Sequence, residues 1–166
     1  DVDDQIILVC NQTTIINDLS YYCLKISYSE PYLTLSNDQL GVKVYKQNNN
    51  DGLDLFSVYD TPASVESVFS DGNIIFSGLS NDKGCYITLL DEDGTQISNL
   101  SIADGYSIND IDVYENLLIL SCKSDGILLY SFDQSLNFNQ LGRIDTEYVY
   151  TAKFYNNNTN SSVSGF

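Results

Sequence analysis

A repeat of about 42 residues limits what this chain can fold into more than any other feature of its sequence. The segment from Asp60-Thr61-Pro62 through Gly72-Asn73 runs into the apolar stretch Ile74-Ile75-Phe76. The segment from Ala103-Asp104-Gly105 through Glu115-Asn116 runs into Leu117-Leu118-Ile119-Leu120. Asp145-Thr146 opens a third segment, which ends in Asn156-Asn157-Asn158. The marker asparagines Asn73, Asn116 and Asn158 are spaced by 43 and 42 residues. Glu30-Pro31-Tyr32-Leu33 is a fainter earlier copy. A fixed period of this length belongs to stacked supersecondary units, because one unit cannot bury its apolar faces alone.

Each unit reads as four short strands. An alternating strand (Val65 and Ser67, or Ile108, Asp110 and Asp112) ends at a Gly/Asn turn, and an apolar strand follows at 74–77 or 117–121. A polar loop with glycine at 84 or 126 leads to a third strand at 86–90 or 127–132, with 41–45 as the earlier copy. The acidic turn Asp91-Glu92-Asp93-Gly94 then introduces a fourth strand over 95–102. Thirteen Tyr and seven Phe, with no Trp and no Met, suit strands better than helices. The expected fold is therefore all-β, built of β-propeller-like four-stranded blades. A parallel β-helix needs a shorter period, and an immunoglobulin-like sandwich does not repeat at this interval.

The unit resembles the LVIVD-type β-propeller repeat. The residues that carry the likeness are Asp60-Thr61-Pro62, Gly72-Asn73, Glu115-Asn116, Asp125-Gly126-Ile127-Leu128-Leu129-Tyr130 and Asp145-Thr146, and it spans roughly residues 17 to 158. The third strand over Cys85–Leu90 departs from the pattern and keeps only Asp91. The resemblance implies an extracellular propeller, often a module of surface or adhesion proteins, and brings no catalytic residues.

The phase of the repeat divides the chain as a half-blade at 1–16, blades at 17–59, 60–102 and 103–144, and a half-blade at 145–166. In the last of these, Tyr148–Tyr155 is expected as an inner strand; in the first, Ile6–Cys10 and Thr14–Ile16 are expected as strands three and four. Three arrangements follow. The termini close a four-bladed ring, the chain is part of a longer propeller, or complementary half-blades pair between chains and build a filament.

Charge and cysteine content bear on partners and compartment. With 23 acidic and 7 basic residues the net charge is −16, which repels a phosphate backbone and excludes nucleic acid as a partner. Histidine is absent, and with it the commonest general base and metal ligand. No apolar run approaches the ~20 residues that cross a bilayer. Cys10, Cys23, Cys85 and Cys122 form an even set without CxxC spacing, so disulfides are expected, Cys10–Cys23 and Cys85–Cys122 being the simplest pairing beside four buried thiols. Sequons place candidate N-glycans on Asn11, Asn99, Asn157 and Asn160. Asp1 fits either a mature terminus after signal-peptide removal or a fragment boundary. Together these read as a secreted or cell-surface protein.

Chemistry has few candidates. Asp91 and Asp93 offer oxygen ligands to calcium, although an acidic hairpin turn needs the same residues. Asp110 and Asp112 sit on an inner strand that faces the axis, where they either hold a cation or cap a neighbouring turn. Tyr21, Tyr22, Tyr32, Tyr106, Tyr114, Tyr148 and Tyr150 suit interfaces, sugar stacking or packing. The expected function is an extracellular structural or interaction module that binds a protein partner or assembles with itself. A carbohydrate- or cation-dependent recognition domain comes second, and a glycan-active enzyme using paired carboxylates third.

Overall fold

The computed structural model of the protein describes residues 23–39, 41–50 and 52–155. These residues form three four-stranded antiparallel sheets and, among them, no helix. The first sheet contains β1 (Ile26–Ser29), β2 (Tyr32–Ser36), β3 (Val42–Gln47) and β4 (Leu53–Tyr59). The second contains β5 (Val65–Asp71), β6 (Ile74–Leu79), β7 (Cys85–Leu90) and β8 (Gln96–Ile102). The third contains β9 (Asp110–Tyr114), β10 (Leu117–Ser121), β11 (Ile127–Phe132) and β12 (Phe138–Ile144). Each sheet is a simple meander in chain order, and its first strand lies against the first strand of the next sheet, β1 on β5 and β5 on β9. That is the blade architecture of a β-propeller: first strands at the axis, fourth strands at the rim.

Burial follows from this stacking. The middle strands of the second sheet are covered on both faces, so Ile75, Leu79 and Leu90, with Val65 of β5, pack toward Val42 and Val44 of the first sheet. On the opposite face Phe76, Cys85 and Ile87 pack against Ile108, Ile111, Leu118, Leu120 and Leu128 of the third. Each such side chain contributes about 1.5–3 kcal/mol when taken from water. Successive residues alternate between the two seams, and the near-continuous apolar run of β6 and β7 is what filling both requires.

Glycine fixes one corner of every unit. Gly41, Gly84 and Gly126 stand just before the third strand with φ of +74°, +70° and +82°. A Cβ there would lie 2.1, 2.2 and 2.1 Å from the carbonyl oxygens of Tyr59, Ile102 and Ile144, the last residues of the fourth strands. Both the left-handed backbone and the close approach demand glycine. The turns between third and fourth strands also repeat. Asn48, Asp91 and Asp133 each accept two backbone N–H bonds, from residues two and four positions on, at 2.8–3.0 Å.

Two expectations need correction. Cys85 and Cys122 are not bridged: both are free thiols buried in the seam between the second and third sheets, where they act as small apolar core side chains. Burial pushes the Cys122 thiol up to about 12 and raises that of Cys85 as well, leaving little thiolate for exchange. Cys23 is free too, and its proposed partner Cys10 lies outside the described residues. Residues 148–155 form no strand; they run beside β9 with a single bridge, Val149 to Lys123. The reason is in the bonding, which is made largely by side chains.

Candidate interaction site

The open face of the third sheet, turned away from the second, presents Asp110 and Asp112 on β9. Strand alternation puts both on that face, and residues 149–154 lie along it. The Asp112 carboxylate accepts the Phe154 N–H at 2.7 Å, and the Asp110 carboxylate accepts the Thr151 hydroxyl. Lys153 donates to the Ile111 carbonyl at 3.0 Å and lies 3.2 Å from Asp110 and 3.7 Å from Asp112. The Asn109 amide donates to the carbonyls of Val149 and Tyr150 at 3.1 and 2.9 Å, and the Val149 N–H donates to Lys123 at 2.8 Å. The same contact recurs two seams back, where the Ser70 N–H donates to the Ser27 hydroxyl at 2.9 Å. Ser27 and Asp112 are two repeats apart, so Phe154 takes the place that Ser70 holds in its own unit.

Asp110 is the electrostatic centre of this region. Its side chain is 7% exposed, and Lys25, two units earlier, reaches it at 3.4 Å from the other side. Burial would raise the carboxyl, but the Thr151 hydroxyl, Lys153 and Lys25 together outweigh burial and hold it below the usual carboxylate value. Glu66 and Lys123 pair at 2.6 Å between the second and third sheets. The two lysines on Asp110 are about half exposed, which discounts their share. Asp110→Asn is expected to cost about 2 kcal/mol at pH 7, mainly through its charged hydrogen bonds. A carboxyl with a depressed folded pKa stabilises above its unfolded value, about 4, and loses that contribution as pH falls through the folded one. The gap between the urea midpoints of the two proteins should therefore be constant above about pH 5 and narrow progressively as pH falls below about 4; a gap that does not change over that range would contradict this assignment.

The loop end of the same region carries the most exposed aromatic pair. Tyr148 and Tyr150 have ring centroids 4.6 Å apart, and Tyr150 is 76% exposed. Tyr106 lies under the Arg143 guanidinium at 5.7 Å, and Tyr114 meets Phe154 at 6.1 Å.

Asp91 is occupied as the staple of its turn, and Asp93 lines a groove with Lys46 between the first and second sheets. The structure does not bring Asp91 and Asp93 to Asp110 and Asp112. Among the described residues no group of three or more acidic or cysteine side chains is placed to hold a metal ion. Asn99 is exposed on β8, an outermost strand, whereas Asn11, Asn157 and Asn160 lie outside the described residues.

No family model matches the chain, and no curated protein matches it. Among solved structures it is similar to the computationally designed Ika4 protein, with a TM-score of 0.60 at 14% identity, covering 83% of this chain and 82% of that one. It also resembles a chain of the mitotic checkpoint complex, with a TM-score of 0.55 at 16% identity over 81% of this chain and 42% of that one. A likeness to the Dos1 propeller, with a TM-score of 0.48 at 15% identity, covers 75% of this chain and 35% of that one and carries no weight. This chain thus spans less than half the length of the latter two. At these identities the likenesses speak to fold alone.

Proposed function

We propose that this chain is an extracellular protein-interaction module, a small propeller of LVIVD-like units, and not an enzyme. The observation that carries the reading is the tyrosine pair at the loop end. Tyr148 and Tyr150 stand in solvent on a backbone pinned by Asn109 and Lys123, and rigid, exposed aromatics give contact area at low entropic cost. The extracellular part is supported by the sequons, with Asn99 exposed on a rim strand. The LVIVD-like part is supported by Gly84 and Gly126 occupying one corner in successive sheets. A small ring is favoured over a six- or seven-unit one because Lys25 reaches Asp110 two units away, a span that a wider channel would open. Three arrangements suit units of this kind: a ring closed by the terminal segments, continuation into a longer propeller, or exchange of the segments with a neighbour.

A photo-crosslinking side chain placed at position 150 of the secreted protein should give a discrete adduct with another protein, while the same group at the exposed rim residue Leu141 should not. No adduct from position 150, or equal labelling from both, would overturn the reading; an adduct lost on deglycosylating the partner would turn it into glycan recognition. Light scattering across concentration separates closure from exchange, since a closed ring holds its 18.5 kDa mass and an exchanging chain grows.

A further inference from the structure

A second groove lies at the opposite, hairpin end of the molecule, between the second and third sheets. Its volume is about 420 Å³. Ile74, Phe132 and Leu136 form its floor, half-buried side chains that continue the core of that seam into solvent. The Phe132 ring is held by stacking on Phe138 at 5.2 Å and by contact with Phe76 at 5.8 Å. Asp71, Glu115 and Asp133 form the rim. Asp133 is bonded to its own turn and to Asn137, and none of the three is in an ion pair among the described residues.

The first inter-sheet groove, at the same end, shows what such a lining holds. There, Asp54, Glu92 and Asp93 line a space of about 330 Å³ together with Lys46 and Phe56. The Lys46 ammonium sits over the Phe56 ring at 5.0 Å and the Tyr32 ring at 5.7 Å. An acidic rim around an aromatic surface here takes a cation from the chain itself. The second groove has the same chemistry, and none of the described cations lines it. Lys25 and Lys153 serve Asp110, Lys123 serves Glu66, Arg143 serves Asp145, Lys43 belongs to β3 of the first sheet, and Lys83 is in the loop before β7 at the other end.

We infer that the groove between the second and third sheets receives a lysine or arginine side chain of a partner protein, its aliphatic stem on Ile74 and Leu136 and its charged head among Asp71, Glu115 and Asp133. Long basic side chains are suited to this because they bury the stem and leave the head at a polar rim. The inference rests on the reading of the chain as an interaction module and names the partner's chemistry.

The test is an amide-resolved NMR titration with a Gly/Ser nonapeptide carrying one central arginine, beside the same peptide with neutral citrulline. The arginine peptide is expected to shift the Asn116 and Gln134 amides saturably and to bind about tenfold tighter than the citrulline peptide, the difference being the charge on the hydrogen bonds. The double variant Asp71→Asn/Glu115→Gln, whose two sites are exposed, should keep the wild-type spectrum elsewhere and lose about tenfold in affinity. Three results would each overturn the inference: equal binding of both peptides, unsaturable shifts spread over all acidic turns, or calcium chloride that moves the same amides and displaces the peptide. The crosslink from position 150 reads the other end of the molecule, so a failed titration with a positive crosslink removes the groove and leaves the interaction module.

Discussion

Gly126→Ala is expected to lower the unfolding free energy by about 4 kcal/mol, the sum of a left-handed alanine at about 1–2 kcal/mol and the displacement of a strand end. Its new Cβ would stand 2.1 Å from the Ile144 carbonyl oxygen, so β12 must move away from the start of β11. Gly105→Ala isolates the first part of that cost. Gly105 has φ +93°, and a Cβ added there would meet nothing within 4 Å, so its replacement should cost about 1–2 kcal/mol. Urea unfolding measures both, and at a typical slope the Gly126 variant should lose about 2 M in midpoint. Equal losses at the two positions would show that the close approach carries no energy. Gly41 and Gly84 make the same approach in their own units, and their alanine variants should follow Gly126 and not Gly105.

Phe76→Ala should cost about the same, about 4 kcal/mol, by a different route. The Phe76 side chain is fully buried and touches Phe69 at 6.4 Å, Phe132 at 5.8 Å and Phe138 at 6.4 Å. Removing it leaves a cavity that the surrounding strands, fixed by their ladders, cannot collapse to fill. Leu141→Ala on the half-exposed rim of β12 is the matched control and should change stability by no more than about 0.5 kcal/mol. A Phe76 variant within about 1 kcal/mol of wild type would mean that the seam is not packed as described. Losses of this size are a large share of the roughly 5–15 kcal/mol that such domains possess.

Strands are legible in the sequence because their signal is local. Apolar runs such as Ile74–Phe76 and Leu117–Leu120, each bounded by a Gly/Asn turn, form β6 and β10. The glycine of each polar loop is visible as a turn residue, but the carbonyl that excludes a Cβ comes from a strand end about 18 residues later and cannot be read locally. Taken alone, the turn at Asp91 offers oxygens to a cation as readily as to its own backbone. Aligned with Asn48 and Asp133, at spacings of 43 and 42, the same residue is a structural staple.

Alternation places Asp110 and Asp112 on an axial strand, yet it says nothing of their partners. Lys25 is two repeats away and Lys153 one, and only the curvature of the stacked units turns those separations into contacts. Lys46 carries no sequence signal, because the rings beneath it belong to β2 and β4. Cysteine parity suggests bridges, but parity is blind to geometry. Cys85 and Cys122 share a seam without sharing a bond.

The axial stitch has a polarity. In the first seam a side-chain oxygen of the earlier unit, on Ser27, takes a backbone proton from the later one, on Ser70, and Asp112 does the same with Phe154. In both seams the accepting side and the donating side therefore differ chemically. Two copies that met through this stitch could not be related by a twofold axis, since accepting side would face accepting side. Any association built on it is head-to-tail, with one end always ready to accept and the other to donate, so it yields a closed cycle or a fibre with a direction.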